Sequence, residues 1–173
     1  MSEKRLVKII GGGLAGCECA LQLLERGYAV KMYEMRPLRT TGAHKTENLA
    51  ELVCSNSLKS SEPCTASGLL KEELDLLGCR LLPLARENAV PSGSALSVER
   101  VGFSKSVENA LNAYPDFTLV REEVTSLDED VPTVVATGPL TSDSLAKVVG
   151  ELTGKDRLFF YDAIAPIVEF DSI

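Results

Sequence analysis

Residues 8–34 read KIIGGGLAGCECALQLLERGYAVKMYE. This stretch runs from an apolar strand through three successive glycines into a helical pattern, and it ends in a second strand closed by an acidic residue. Gly11, Gly13 and Gly16 form G-x-G-x-x-G between strand and helix. There the first glycine permits a tight turn, the second lets the backbone approach a pyrophosphate, and the third allows close helix–strand contact. The stretch therefore predicts a dinucleotide-binding loop.

The acidic residue that closes the second strand is Glu34, which follows Gly16 by 18 residues. A carboxylate at this point can accept hydrogen bonds from both hydroxyls of an adenosine ribose, and it would repel a 2′-phosphate. The pattern therefore favours FAD or NAD over NADP. The alternative interpretation is a glycine-rich turn followed by a solvated glutamate.

Two later segments bear on the choice between FAD and NAD. The segment TVVATGP at 133–139 resembles the turn that follows a later strand in flavoproteins, and it would bring Thr137 and Gly138 near the phosphates. An ordinary strand and turn is the alternative. The segment VREEV at 120–124 occupies the place that faces adenine in related flavoproteins, which makes Val124 a candidate contact.

Strand-like and helix-like segments alternate along the rest of the chain. Strands are predicted at Leu6–Ile10, Ala29–Glu34, Ala95–Val98, Phe117–Arg121 and 133–136, with a loop-rich stretch at 35–60. Leucine-rich stripes predict helices between them, among them a stripe of Leu70, Leu74 and Leu77 ended by Gly78. Alternation of this kind predicts parallel pairing, hence an α/β sheet with helices on both faces.

Composition limits the class of protein. The 173 residues are 45% hydrophobic and 25% charged, with no apolar run near the ~18 residues of a membrane span. The N-terminus lacks a secretory signal pattern, so we expect a cytoplasmic protein that does not contact membranes. The net charge of −7 argues against a broad nucleic-acid surface, so any RNA contact must be local. Five cysteines without CxxC or metal-ligand spacing predict free thiols and no metal site.

Five longer motifs carry a resemblance to a known family. They are YEMRP at 33–37, AELVCSNSLKS at 50–60, GLLKEEL at 68–74, ATGPLTSDSLA at 136–146 and FYDAIAPIVEFDSI at 160–173. Together they resemble the folate-dependent, FAD-containing tRNA uracil-5-methyltransferase family from end to end. An rRNA-directed relative and the tRNA wobble-modifying flavoproteins share the nucleotide-binding part.

The resemblance implies a fold, a reaction and a set of partners. The expected fold is a Rossmann-like FAD-binding fold of the glutathione-reductase type, incomplete in this chain. Methylenetetrahydrofolate would donate a one-carbon unit through reduced FAD to carbon 5 of a T-loop uridine in tRNA, with NAD(P)H as the reductant. We expect residues 1–173 to be the N-terminal FAD-binding domain of a longer enzyme, with residues about 39–100 as an inserted loop and helical region that carries Cys54. Oligomeric state is left open.

The same resemblance singles out Cys54 in LVCSNS as one of two cysteines that share the work at the uracil ring. Carbon 5 of uracil is a poor nucleophile until a thiolate adds at carbon 6, and its proton must later be removed by a base. The second cysteine would lie beyond residue 173. The alternative for Cys54 is a buried structural cysteine, which is how we interpret Cys17, Cys19, Cys64 and Cys79.

The candidate FAD contacts are Gly11, Gly12, Gly13, Leu14, Ala15, Gly16, Glu34, Met35, Arg36, Val124, Thr137 and Gly138. Arg36 could reach ribose or phosphate, although an exposed loop arginine is the commoner case. His44 could contact flavin or RNA, or be solvated. Lys71, with the two glutamates after it, is most simply a solvated helix face. Three functions stay open: an RNA methyltransferase, a non-catalytic FAD-binding fragment, and an ordinary FAD oxidoreductase.

Overall fold

A computed structural model describes residues 4–128 and 130–154, so the motif at 160–173 lies outside the described residues. The strands are β1 Leu6–Ile10, β2 Ala29–Glu34, β3 Ser57–Ser60, β4 Ala89–Val90, β5 Ala95–Val98, β6 Phe117–Arg121 and β7 Thr133–Val135. The helices are α1 Leu14–Glu25, α2 Ala66–Leu76, α3 Leu81–Glu87, α4 Arg100–Asn112 and α5 Asp143–Thr153, with a 3₁₀ turn at Gly138–Leu140. No helix among these residues is long and apolar enough to cross a bilayer.

Among the described residues, the main sheet has four parallel strands in the order β6-β2-β1-β7. Strands β1 and β2 pair in register from Leu6 opposite Ala29 to Ile10 opposite Tyr33. The glycine-rich loop leaves the carboxyl end of β1 between its two neighbours, which is where ligands bind in open α/β sheets. The predicted Rossmann-like α/β fold is confirmed.

One face of this sheet carries the hydrophobic core. Ile9, Val30 and Met32 alternate with less buried residues and pack in one cluster with the apolar sides of α1, α3 and α4. Lys8 and Lys31 point to the opposite face and are only half-buried. Helical cover of that second face stays a prediction.

The region between β2 and α4 forms a second, smaller sheet. Strands β3, β5 and β4 pair antiparallel in that order. The prediction that Ala95–Val98 belongs to the parallel alternation is therefore wrong, and the stretch expected to be loop-rich ends in β3. Strand β3 reads SLKS, which has too few apolar residues to predict a strand by alternation.

Helix α2 forms where its leucine stripe predicts it, but a different side faces the protein. Lys71, interpreted from sequence as solvated, is 7% exposed and its Nζ donates to the carbonyls of Ser60 and Ser67. Leu70 and Leu77 are exposed instead. A Cβ at Gly68 would lie 1.8 Å from the Glu62 carbonyl oxygen, so close backbone contact and the lysine bonds fix which side of α2 packs.

Candidate functional site: a nucleotide cleft at the glycine-rich loop

The glycine-rich loop is shaped by contacts that a side chain would prevent. Gly11 has φ of +106°, and a Cβ there would lie 2.7 Å from the carbonyl oxygen of Ala136, the residue directly after β7. A Cβ at Gly16 would lie 1.9 Å from the Gly11 carbonyl oxygen. These two glycines therefore bring β1, α1 and β7 together at one point.

The start of α1 is open toward solvent. Gly13 is the N-cap residue and makes no side-chain cap, and a Cβ built there meets no atom of the described part of the chain within 4 Å. The first backbone N–H groups of a helix lack partners within the helix and lie at the positive end of its dipole. Such an end binds phosphate groups well, so this geometry suits the pyrophosphate of a dinucleotide.

The Glu34 carboxylate lies beside this loop and is buried. Its Oε2 accepts from the Gly12 N–H at 2.9 Å, and its Oε1 accepts from the backbone N–H and the Nε of Arg36. Burial raises the pKa of Glu34, but the hydrogen bonds from Arg36 and Gly12 outweigh burial, and the pKa lies below its ordinary value. Glu34 is therefore an ionised acceptor at neutral pH.

The interpretation of Arg36 as an exposed loop arginine is wrong, because Arg36 is buried. Its side chain is 1% exposed and lies between two carboxylates, with Nε 2.9 Å from Glu34 Oε1 and Nη1 2.8 Å from Glu51 Oε2. Two opposite charges and a third bond to the Thr46 carbonyl compensate the cost of burying a guanidinium group. Sequence reasoning missed Glu51, because it lies 15 residues from Arg36 and in a loop.

A cleft with about 570 Å³ of empty space opens at this edge of the sheet. Of the predicted contacts, it is lined by Gly11, Gly12, Gly13, Glu34, Met35, Arg36, Val124 and Thr137. Leu14, Ala15, Gly16 and Gly138 do not line it; the first three belong to α1, and Gly138 begins the 3₁₀ turn.

The cleft also has lining residues that sequence reasoning did not select. They are Ile10, Tyr33, Glu122, Glu123, Ala136, Leu140, Ser142 and Leu145, with His44, which was only one of two alternatives. Glu122 and Glu123 directly follow β6, so their place after a predicted strand could have found them. Ser142 does not directly follow a predicted strand, so its position in the sequence gives no comparable indication.

His44 brings a titratable group to the cleft. Its Nδ1 lies 2.7 Å from the Thr41 hydroxyl oxygen. Partial burial lowers the pKa of His44, and the nearby Arg36 charge lowers it further, against weaker opposition from Glu51 and Glu34. His44 is therefore a neutral hydrogen-bonding group near pH 7.

The cysteines occupy different environments. Cys54 is exposed and does not line the cleft, so the described structure does not bring it together with the nucleotide residues. Cys17 is buried, which raises the pKa of its thiol to about 12. Cys64 is exposed, contrary to its interpretation as a packed structural cysteine.

Fold and site together define the class. A parallel sheet, a glycine-rich loop opening a helix, and a carboxylate at the end of the second strand make this a domain with the Rossmann-like FAD-binding fold. The sequence profile of the family described as "Glucose inhibited division protein A" matches residues 6–173, and the chain belongs to this family.

Curated relatives and a solved structure agree with that assignment. The chain is 52% identical over 171 residues to methylenetetrahydrofolate--tRNA-(uracil-5-)-methyltransferase TrmFO of Bacillus subtilis (strain 168), covering 99% of this chain and 39% of the relative. The TrmFO of Aquifex aeolicus (strain VF5) is 52% identical over 173 residues, which is 100% of this chain and 38% of the relative. The chain thus spans about two fifths of the length of these relatives.

Among solved structures, Aquifex aeolicus GidA superposes with a TM-score of 0.60 at 16% identity. The match covers 79% of this chain and 25% of that one. At this identity the likeness supports the fold alone.

Proposed function

We propose that the cleft binds FAD, with the pyrophosphate at the start of α1 and the adenosine ribose on Glu34. The observation that carries the proposal is the ionised Glu34 carboxylate beside an uncapped, open helix start. Ribose hydroxyls are donors and Glu34 is an acceptor, while a 2′-phosphate would meet a negative charge. Val124 and Thr137, which line the same cleft, are proposed contacts on the adenine and phosphate sides.

The residues present fit such a ligand. The position of Gly13 leaves open space where a side chain would stand, so a phosphate can approach the backbone closely. The Gly12 N–H donates a hydrogen bond to the Glu34 carboxylate and thereby holds it at the mouth of the cleft. FAD, when bound, supplies redox chemistry that no side chain of the described residues can supply.

We propose further that the chain forms the FAD-binding part of an enzyme that methylates carbon 5 of a T-loop uridine in tRNA. What supports this is the 52% identity to relatives named as methylenetetrahydrofolate--tRNA-(uracil-5-)-methyltransferases. Methylenetetrahydrofolate would be the one-carbon donor and NAD(P)H the source of reducing equivalents. A tRNA substrate implies a cytoplasmic site of action.

Within that enzyme we assign to Cys54 the thiolate chemistry at the uracil ring, as base or nucleophile. Its exposure leaves the thiol accessible to a macromolecular substrate. A thiolate can add to carbon 6 of uracil or remove the proton from carbon 5, and a neutral serine hydroxyl does neither well near pH 7.

The cofactor assignment is tested by purifying this chain, adding FAD, and measuring bound flavin by absorbance after gel filtration. We expect stoichiometric yellow protein, with NADP unable to compete at comparable concentration. Colourless protein after reconstitution would contradict FAD binding by this chain.

The catalytic assignment is tested in a full-length family member that carries this region. Changing the cysteine equivalent to Cys54 to Ala should leave flavin content unchanged and abolish transfer of labelled carbon from methylenetetrahydrofolate to T-loop RNA. The Ser variant should recover little of the transfer. Near-normal labelling with Ala would leave Cys54 without a role in the chemistry.

A second function is supported by one observation: Cys54 does not line the cleft. The 173-residue chain alone would then be an FAD-binding module without transferase activity. Labelling assays with this chain and with a full-length relative, at matched flavin content, distinguish the two functions.

A further inference from the structure

One buried cation joins two parts of the molecule. The Arg36 side chain contacts Glu34 through Nε and Glu51 through Nη1, at 2.9 and 2.8 Å. Glu34 lines the cleft, whereas Glu51 does not. The position of the Arg36 guanidinium, and with it the direction of the Glu34 carboxylate, therefore depends on a residue that does not line the cleft.

Glu51 also closes the segment 44–51 into a loop. Its Oε1 accepts from the Lys45 N–H at 3.0 Å, and its Oε2 accepts from the Thr46 N–H at 3.3 Å as well as from Arg36. Arg36 returns a bond from Nη1 to the Thr46 carbonyl. The segment is thus tied to Arg36 by both its backbone and a side chain.

The end of this segment lies against the glycine-rich loop. The Ala50 N–H donates to the Gly12 carbonyl at 2.8 Å, and both Leu49 and Ala50 are fully buried. A Cβ at Gly12 would lie 2.4 Å from a methyl group of Leu49 and 2.9 Å from Glu34 Oε2. Gly12 therefore meets the nucleotide carboxylate and the segment 44–51 at once.

We propose that Glu51 is a positioning residue for the nucleotide: through Arg36 it orients Glu34, and it ties the segment that leads to Cys54 to the cleft. The proposal rests on the proposed FAD site. We call the segment 44–51 closed when Glu51 holds it on Arg36. A nucleotide that binds the oriented Glu34 carboxylate has a higher affinity for the closed state, so nucleotide binding and closure of the segment stabilise each other.

The experiment is a double-mutant cycle on the 173-residue chain, with FAD and ADP as probes and affinity measured by fluorescence titration and calorimetry. Glu51→Gln keeps the shape of the side chain and removes its charge, and we expect roughly ten-fold weaker binding. In the Arg36→Gln background, Glu51→Gln should change affinity by less than about two-fold. Equal effects in both backgrounds would overturn the proposal.

Glu108→Gln is the matched control. Glu108 holds the same segment through the Leu49 N–H at 2.9 Å, without using the Arg36 side chain. Its effect on affinity should persist in the Arg36→Gln background. If Glu51 only supported the fold, Glu51→Gln would weaken nucleotide binding equally with and without the Arg36 side chain, as we expect for Glu108→Gln. Absence of FAD binding by the wild-type chain would count against the proposed function, and the ADP titration would still test the positioning role.

Hydrogen exchange on the wild-type chain keeps the test independent of how the variants fold. FAD or ADP should slow exchange of the amides of Lys45, Thr46 and Ala50, while amides of β4 and β5 serve as the reference. Bound nucleotide with unchanged exchange in the segment 44–51 would overturn the link between segment and cleft.

Discussion

At the scale of single residues, two glycines of the G-x-G-x-x-G motif have separable tasks. Gly13→Val places a side chain in open space, so we expect a folded chain, destabilised by about 1 kcal/mol or less, that no longer holds flavin. Gly16→Ala drives a methyl group against the Gly11 carbonyl, and we expect a loss of about 2–3 kcal/mol of unfolding free energy. Urea unfolding and flavin absorbance measure the two effects.

The pair of variants also tests the placement of the cofactor. Full flavin absorbance with Gly13→Val would show that the pyrophosphate does not lie at this helix start. Unchanged stability with Gly16→Ala would show that Gly16 does not lie against the Gly11 carbonyl group.

His44 predicts a pH dependence of stability. Because the pKa of His44 in the folded chain lies below its ordinary value of 6.5, the unfolded chain binds the proton more readily. Its contribution to stability is present above about pH 6.5 and is lost as the pH falls toward the folded pKa. We expect His44→Gln to flatten the fall in unfolding free energy as the pH drops below about 6.5, measured by urea titration. An identical slope in the variant would contradict the lowered pKa.

At the scale of elements, one carboxylate on α1 holds the start of α3. Glu18 accepts from the backbone N–H groups of Arg80 and Leu81 at 2.9–3.0 Å. These N–H groups at the start of α3 have no acceptor within their own helix, and Glu18 supplies one. The same hydrogen bonds connect α1 to the region that contains the second sheet. Glu18→Ala should cost about 1–2 kcal/mol of unfolding free energy.

Glu25→Ala is the matched control for this prediction. Glu25 lies on the same helix, and within residues 4–128 and 130–154 it pairs only with the exposed Arg80 side chain, so its loss should cost less than about 0.5 kcal/mol. Chemical denaturation of both variants gives the comparison. Equal losses would mean that Glu18 acts as a surface charge and not as a cap.

The elements also show how far sequence could predict this fold. The β1–α1–β2 unit and β6 were predictable, because apolar runs, helical spacing and the glycine pattern all agree there. Strand β3 was not, since its pairing with β5 depends on backbone bonds between residues about 40 apart and not on an apolar pattern. The packed side of α2 was not predictable either, because Lys71 finds carbonyl partners only in the folded chain.

The candidate site divides in the same way. The glycines and Glu34 are signalled by spacing, because each has a task fixed by local backbone geometry. The burial of Arg36 depends on Glu51, a tertiary partner that no local pattern announces. Cys54 was selected by its resemblance to the family motif. Cys54 and Cys64 are both exposed, so exposure alone does not distinguish Cys54 among the five cysteines.

At the scale of the whole molecule, α2 presents an apolar surface to solvent. Leu69, Leu70, Leu76 and Leu77 share one side of the helix by their spacing, and Leu76 and Leu77 are 88% and 76% exposed. The polar side of the same helix is turned inward at Lys71. Removing a contiguous apolar patch from water lowers the free energy, so such a patch favours association between copies of the chain.

We therefore expect the 173-residue chain to self-associate as its concentration rises, and the double variant Leu76→Lys/Leu77→Lys to suppress this association. Both side chains lie in solvent, so the variant should unfold at the same denaturant concentration and bind FAD as the wild type does. Val101→Lys is the control, since Val101 is 45% exposed on α4, outside the patch, and its change should leave association intact. Sedimentation velocity across a concentration series measures the effect. Association that persists in the double variant would show that another surface of the chain is responsible.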